Sequence, residues 1–134
     1  MSTMFFLNLP VKDLSTATAF YEGLGYSKNP QFSDENATSI VISDTIVVML
    51  LVEPFFKTFT TKEISDTATS TEALLGLSAE SREAVDTIVD KALATGGSEG
   101  NALQDHGFMY SRSFQDPDGH IWEIIWMDES QIAG

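Results

Sequence analysis

Apolar and polar residues change rhythm several times along the chain, and each change marks an element. From 4 to 11 the apolar positions alternate loosely around Phe5, Leu7 and Leu9 until Pro10, as in a strand of a half-buried sheet. Asp13 is placed to cap a helix in which Leu14, Ala17, Tyr21 and Leu24 recur at three- and four-residue spacing, with Gly25 just past its end. Three strands are predicted next, over 26–32, 38–43 and 45–52, the last two joined around Ser43 and Asp44. The order is βαβββ.

The second half repeats that order. A strand over 71–79 leads to Ser81, which caps a helix carrying Val85, Ile88, Val89 and Ala92, and Gly96 with Gly97 stops it. A weak strand over 98–103 precedes a hairpin of 109–115 and 121–127, turning at Asp116, Pro117, Asp118 and Gly119. LPVKD overlays LSAES with an offset of 68 residues, pairing Leu9 with Leu77 and Asp13 with Ser81. The last hairpins overlay with an offset of 74, pairing Asp44 with Asp118 and Met49 with Glu123. An internal duplication follows, with modules at 4–52 and 71–128 in a single domain of 134 residues. Halves of about sixty residues are marginal alone, so a shared core is expected. The connection 53–70 belongs to neither repeat and carries Phe55, Phe56 and Phe59 among polar residues, as a lid over a pocket, a plug for the core edge or part of a subunit interface.

Composition narrows the function classes. Seven Lys and Arg against twenty Asp and Glu give a net charge of −13, which repels phosphate backbones and anionic lipid, so neither nucleic acid nor membrane is an expected partner. The acids are spread along the chain, as on a solvated surface. No apolar run reaches the length of a bilayer span, and MSTMFFLNLP lacks the basic start of a signal or transit peptide, so cytoplasm is the expected location. With no cysteine there is no disulfide, thiolate metal site or cysteine nucleophile. No phosphate loop, nucleophile elbow or dinucleotide fingerprint is present.

Of the chemistry-bearing residues, Glu123 stands out because Ile121 and Ile125 share its strand face. A hairpin loop of two or four residues would set Arg112 opposite Glu123, giving an ion pair that offsets the cost of a carboxylate between isoleucines. A general base and a metal ligand are the other readings of Glu123. Arg112, one of two arginines, is also the best candidate to hold a ligand carboxylate. His120 is expected exposed beside the turn, and His106, in a polar loop, on the surface or against a second subunit.

Two segments, LPVKDLSTATAFYEGLGY at 9–26 and FQDPDGHIWEIIW at 114–126, resemble the opening and closing signatures of the glyoxalase, bleomycin-resistance and extradiol-dioxygenase superfamily, also called vicinal oxygen chelate. The resemblance implies an α+β fold in which two βαβββ modules form an incomplete curved β-barrel around a ligand cavity, with module pairing expected within the chain, and a homodimer. Superfamily enzymes hold a divalent metal with residues that fall here on Phe6, Met49, Leu74 and Glu123, of which only Glu123 has a suitable donor. No metal and no cofactor are therefore expected. Phe6, Met49 and Leu74, with Asn8 and Leu51 on the same strand faces, would line a pocket for a small, largely apolar or cationic molecule. The alternatives are a lactoylglutathione-lyase-like lyase or isomerase, with Glu123 as base, and a structural dimer without ligand.

Overall fold

The computed structural model describes residues 2–132, with side chains as far as 130. Its contacts divide the chain into two compact units, one ending at Asp66 and the other starting at Thr67. The first contains β1 (Phe5–Val11), α1 (Leu14–Gly23), β2 (Ser27–Asn29), β3 (Ala37–Val41), β4 (Ile46–Val52) and a short α2 (Glu53–Phe56) that runs into a 3-10 turn at Lys57–Phe59. The second contains β5 (Leu74–Ser78), α3 (Arg82–Ala94), β6 (Ser98–Glu99), β7 (Gln104–Asp105), β8 (Met109–Gln115), β9 (Ile121–Met127) and a closing turn, α4 (Glu129–Ile132).

Each unit is a βαβββ sheet with the helix on one face. In the first the strand order is β1-β4-β3-β2, and β1 lies parallel to β4 with Asn8 opposite Met49. In the second it is β5-β9-β8-β6, β7 also pairs with β8, and β5 lies parallel to β9 with Gly76 opposite Glu123. Gly76 lies 68 residues beyond Asn8 and Glu123 lies 74 beyond Met49, so both offsets of the duplication hold in the strand register. Pro10 is tolerated in β1 because β1 is an edge of its sheet.

The helices form where their signals stand. Asp13 accepts from the Thr16 N–H at 3.1 Å and Ser81 from the Ala84 N–H at 3.0 Å, while Gly25 and Gly96 take positive φ just beyond the two ends. The apolar face of α1 buries Ala17, Phe20 and Tyr21 beside Leu9, Val48 and Leu50, and that of α3 buries Val85, Val89 and Ala92 beside Phe114, Trp122 and Ile124. At roughly 25 cal/mol per Å² of apolar surface, this helix-on-sheet burial is the main stabilising contribution in each unit.

Three expectations change. The strand expected at 26–32 stops at Asn29, because Pro30 opens a 3-10 turn in which the Asn29 side chain accepts from the Gln31 N–H at 3.0 Å. The strand expected at 98–103 is reduced to Ser98–Glu99, and a further short strand, β7, forms beyond it at Gln104–Asp105. The third concerns the last hairpin. The Asp116 N–H donates to the His120 carbonyl, the Asp116 carboxylate accepts from the N–H groups of Asp118 and His120, and Gly119 takes φ +87°. That is a three-residue loop with glycine at the left-handed position, not the even loop assumed from the sequence. It sets Arg112 opposite Ile124 and Glu123 opposite Ser113. A one-residue shift sends Arg112 and Glu123 to opposite faces of the sheet, so the expected ion pair does not form.

Candidate functional site

In each unit the sheet face turned away from the helix carries the positions brought over from the resemblance, Phe6 and Met49 in the first and Leu74 and Glu123 in the second. In the first unit Phe6 and Asn8 of β1 share that face with Val47, Met49 and Leu51 of β4. Leu51 is buried and Met49 half-buried, whereas Phe6 is 55% exposed. Phe55 and Phe56 are half-buried in the α2 turn, and Phe59 is 69% exposed with its ring edge-on to Phe55 at 5.2 Å. Asn8 supplies the face with an amide, and no charged side chain lies among these strand positions.

The corresponding face of the second unit is polar at its centre. Leu74, 58% exposed, and Gly76 of β5 lie beside Ile121, Glu123 and Ile125 of β9, followed by Ser113 and Ser111 of β8. Glu123 is half-buried, and the Asn101 amide Nδ2 donates to its Oε1 at 2.7 Å. A carboxylate only accepts, which fixes the orientation of the amide. Asn101 reaches it because the neighbouring Gly100 lies on the sheet: a Cβ there would fall 2.1 Å from Ser113 Oγ and 2.8 Å from the Phe114 nitrogen. Ser113 is buried, its hydroxyl donating to the Trp122 carbonyl at 2.8 Å. Ser111 is only 7% exposed. A hollow of about 660 Å³ is lined by Gly76, the strand partner of Glu123, together with Ser78, Glu80, Ile125, Met127 and Glu129.

Arg112 lies on the other side of the sheet. It bridges Asp86 and Asp90 of α3 at 2.9 Å each, and Tyr110 donates to Asp86 at 2.7 Å. The hydrogen bonds from Tyr110 and then Arg112 hold the Asp86 carboxyl below its usual range, and Asp86 in turn raises the Tyr110 phenol. Arg82 forms a two-pronged bond to Asp105 at 2.9 and 2.7 Å and stacks over the Tyr110 and Trp126 rings. The Arg82 guanidinium and then the Gly107 N–H keep the Asp105 carboxyl well below the ordinary carboxylate range. The second unit's three cations, Arg82, Lys91 and Arg112, are all on or against α3.

His106 is exposed, as expected. His120 is not: it is 2% exposed, and its Nδ1 lies 2.7 Å from Glu72 Oε1, which makes Nδ1 the protonated nitrogen. Thr67 and Glu72 tie the preceding segment to the turn at Asp118 and His120, so the turn is covered and its histidine becomes part of the packing.

Among the described residues no three His, Asp or Glu side chains are grouped as they would be around a metal ion. The four positions carried over from the resemblance hold a phenyl, a thioether, an isobutyl group and one carboxylate already engaged by an amide. That donor set does not suit a hard or borderline divalent cation.

A protein-family model described as Glyoxalase/Bleomycin resistance protein/Dioxygenase superfamily matches residues 3–124. The chain belongs to that superfamily. No curated protein matches it. Among solved structures, a hypothetical protein from S. aureus is 27% identical with a TM-score of 0.77, the match covering 94% of each chain. A glyoxalase/bleomycin resistance protein/dioxygenase family enzyme from Burkholderia phytofirmans PsJN is 18% identical with a TM-score of 0.78, covering 94% of this chain and 99% of its own. A bleomycin resistance determinant encoded on the transposon Tn5 is 19% identical with a TM-score of 0.67, covering 95% of this chain and 99% of its own. The last two share the fold, and the superfamily's α+β architecture of two sheets is the one described above. Among the described residues no helix is long and apolar enough to cross a membrane.

Sequence reasoning found Phe6, Met49, Leu74 and Glu123 as equivalent strand positions but missed Asn101. Nothing in a polar stretch beside Gly100 announces that Asn101 turns back onto the sheet. The partners of Arg112 did leave a signal: Asp86 and Asp90 stand four residues apart on α3, next to the buried Val85 and Val89.

Proposed function

We propose that this superfamily member is a small-molecule binding protein, taking a largely apolar or cationic compound against the strand faces of its βαβββ units without a metal. One observation carries the reading: three of the four positions at which superfamily enzymes hold their metal are Phe6, Met49 and Leu74, none with a hard donor. Apolar strand faces with a few placed polar groups are how small-molecule sites are generally built. A lyase or isomerase reaction of the glyoxalase kind needs a metal to polarise a carbonyl as well as a base, and Glu123 supplies only the base.

The working unit is a homodimer in the cytoplasm. Support for the dimer comes from β1 and β5, each an edge strand of its own sheet, and from the exposed Phe5, Phe6 and Leu74 on them. Light scattering at micromolar concentration is expected to give twice the 14.7 kDa of one chain.

The test of function is metal analysis of untagged protein, joined to a thermal-shift panel of divalent metals, glutathione adducts and cationic aromatic compounds. A native-state ligand raises the melting temperature by mass action. The proposal expects substoichiometric metal and a shift with organic compounds only. Stoichiometric Ni, Zn, Mn or Fe, or a large shift with one of these metals alone, contradicts it.

A further inference from the structure

We infer that Glu123 and Asn101 form the recognition edge of the second unit's sheet face, and that the edge selects ligands carrying a protonated nitrogen. The inference rests on the binding reading above and deepens it by naming the ligand's head group and the residues that read it.

The first argument is charge. Glu123 is a half-buried carboxylate between Ile121 and Ile125, and all three cations of its unit stand on or against α3, two of them bonded to Asp86, Asp90 and Asp105. Its one described partner is the neutral Asn101 amide. A carboxylate in such surroundings is stabilised by an incoming cation and disfavours an incoming anion.

The second argument is hydrogen-bonding capacity. Asn101 occupies Glu123 Oε1, leaving Glu123 Oε2 and the Asn101 carbonyl oxygen as acceptors without partners among the described residues. By holding the carboxylate in one orientation, Asn101 acts as a positioning residue for the Oε2 acceptor and adds an acceptor of its own. Gly100 permits this, since any side chain there would collide with the backbone of β8.

The third argument is space. The hollow lined by Gly76, the strand partner of Glu123, and by Ile125 and Met127 receives the rest of the molecule, and Glu80 and Glu129 in the same lining add negative potential.

Three isosteric probes separate charge from shape: benzamidine as a cation, benzamide as its neutral counterpart and benzoate as an anion. Titration of the full chain should rank them in that order, with benzamidine at least about tenfold tighter than benzamide. Glu123→Gln should bring the benzamidine-to-benzamide ratio close to one while benzamide still binds, which shows that the variant is folded. Asn101→Ala should lower the same ratio. A merely structural role for Asn101 would weaken all three probes alike and leave the ratio unchanged. Benzamidine binding no tighter than benzamide, or a ratio that survives Glu123→Gln, overturns the inference while leaving the binding proposal intact. If none of the three binds and the wider thermal-shift panel is silent as well, both fall.

Discussion

The two units are copies whose buried positions agree and whose open faces do not. Leu50 and Ile124 are both fully buried, 74 residues apart, and each sits at the centre of a strand against its unit's helix. On the other face of the same strands, Met49 and Glu123 occupy equivalent places opposite Asn8 and Gly76. The first unit fills its position with a thioether; the second keeps a carboxylate, opens the facing position to glycine and brings Asn101 across to hold it. Packing against the helix constrains volume and polarity tightly, so the copies stayed alike there. The open faces are free of that constraint, and there the two units differ.

The largest test of the shared half is truncation at the equivalent core positions. Leu50→Ala and Ile124→Ala should each destabilise by about 2–5 kcal/mol in chemical denaturation, because each removes a fully buried side chain and leaves a cavity. Closely similar losses would confirm the equivalence. A near-neutral result at one position would show that its unit packs differently.

Next in size is Gly100→Ala, which has no counterpart in the first unit. With a Cβ only 2.8 Å from the Phe114 nitrogen, the backbone must shift, and a loss of roughly 1–3 kcal/mol is expected. Gly76→Ala is the matched control: its Cβ would meet Ile125 at an ordinary 3.7 Å, so its stability should change by less than about 1 kcal/mol. Equal losses at the two glycines would remove the close approach that carries Asn101 to Glu123.

Arg112→Met should cost about 1–2 kcal/mol, less than a fully buried pair, since the arginine is mostly covered but its aspartates are largely open to solvent. Combined with Glu123→Leu the effects should add within roughly 0.5 kcal/mol, because the two side chains lie on opposite faces of the sheet. Combined with Asp86→Asn they should not add. Coupling between Arg112 and Glu123 instead would contradict the register of the last hairpin.

The smallest expected effect is in pH dependence. The Asp86 carboxyl is held below its ordinary 3.8 by Tyr110 and Arg112, so the unfolded chain takes up the proton first as pH falls. The stability from this group is therefore fully present above about pH 4 and lost as pH drops through the lower folded value. Wild-type protein should lose slightly more stability than Asp86→Asn between pH 5 and 3, measured by thermal unfolding, with solvent screening keeping the difference small. Identical slopes would mean that the network on α3 does not bias Asp86.

Most of the architecture was legible in the chain because its signals are local. Asp13 and Ser81 cap helices, Gly25 and Gly96 end them, and 109–115 and 121–127 form strands with those bounds. What was not legible depended on loop geometry. Whether Asp116 to His120 closes with an even or an odd loop decides which face Arg112 shares, and Pro117, Asp118 and Gly119 suit either. His120 looked like a turn residue because the segment at 67–72 that covers it is distant in sequence. Asn101 was hidden for the same reason, 22 residues from the carboxylate it holds.

The central claim is that the second unit's open face, with Glu123 fixed by Asn101, is where a ligand is recognised. Backbone amide chemical-shift mapping of the full chain during titration with benzamidine tests it most directly. The account predicts that the shifted resonances concentrate at Asn101, Ser111, Glu123 and Ile125, and that Glu123→Gln abolishes the pattern. Shifts confined to Asp86, Asp90 and the rest of the α3 side, or a pattern unchanged in Glu123→Gln, would contradict it.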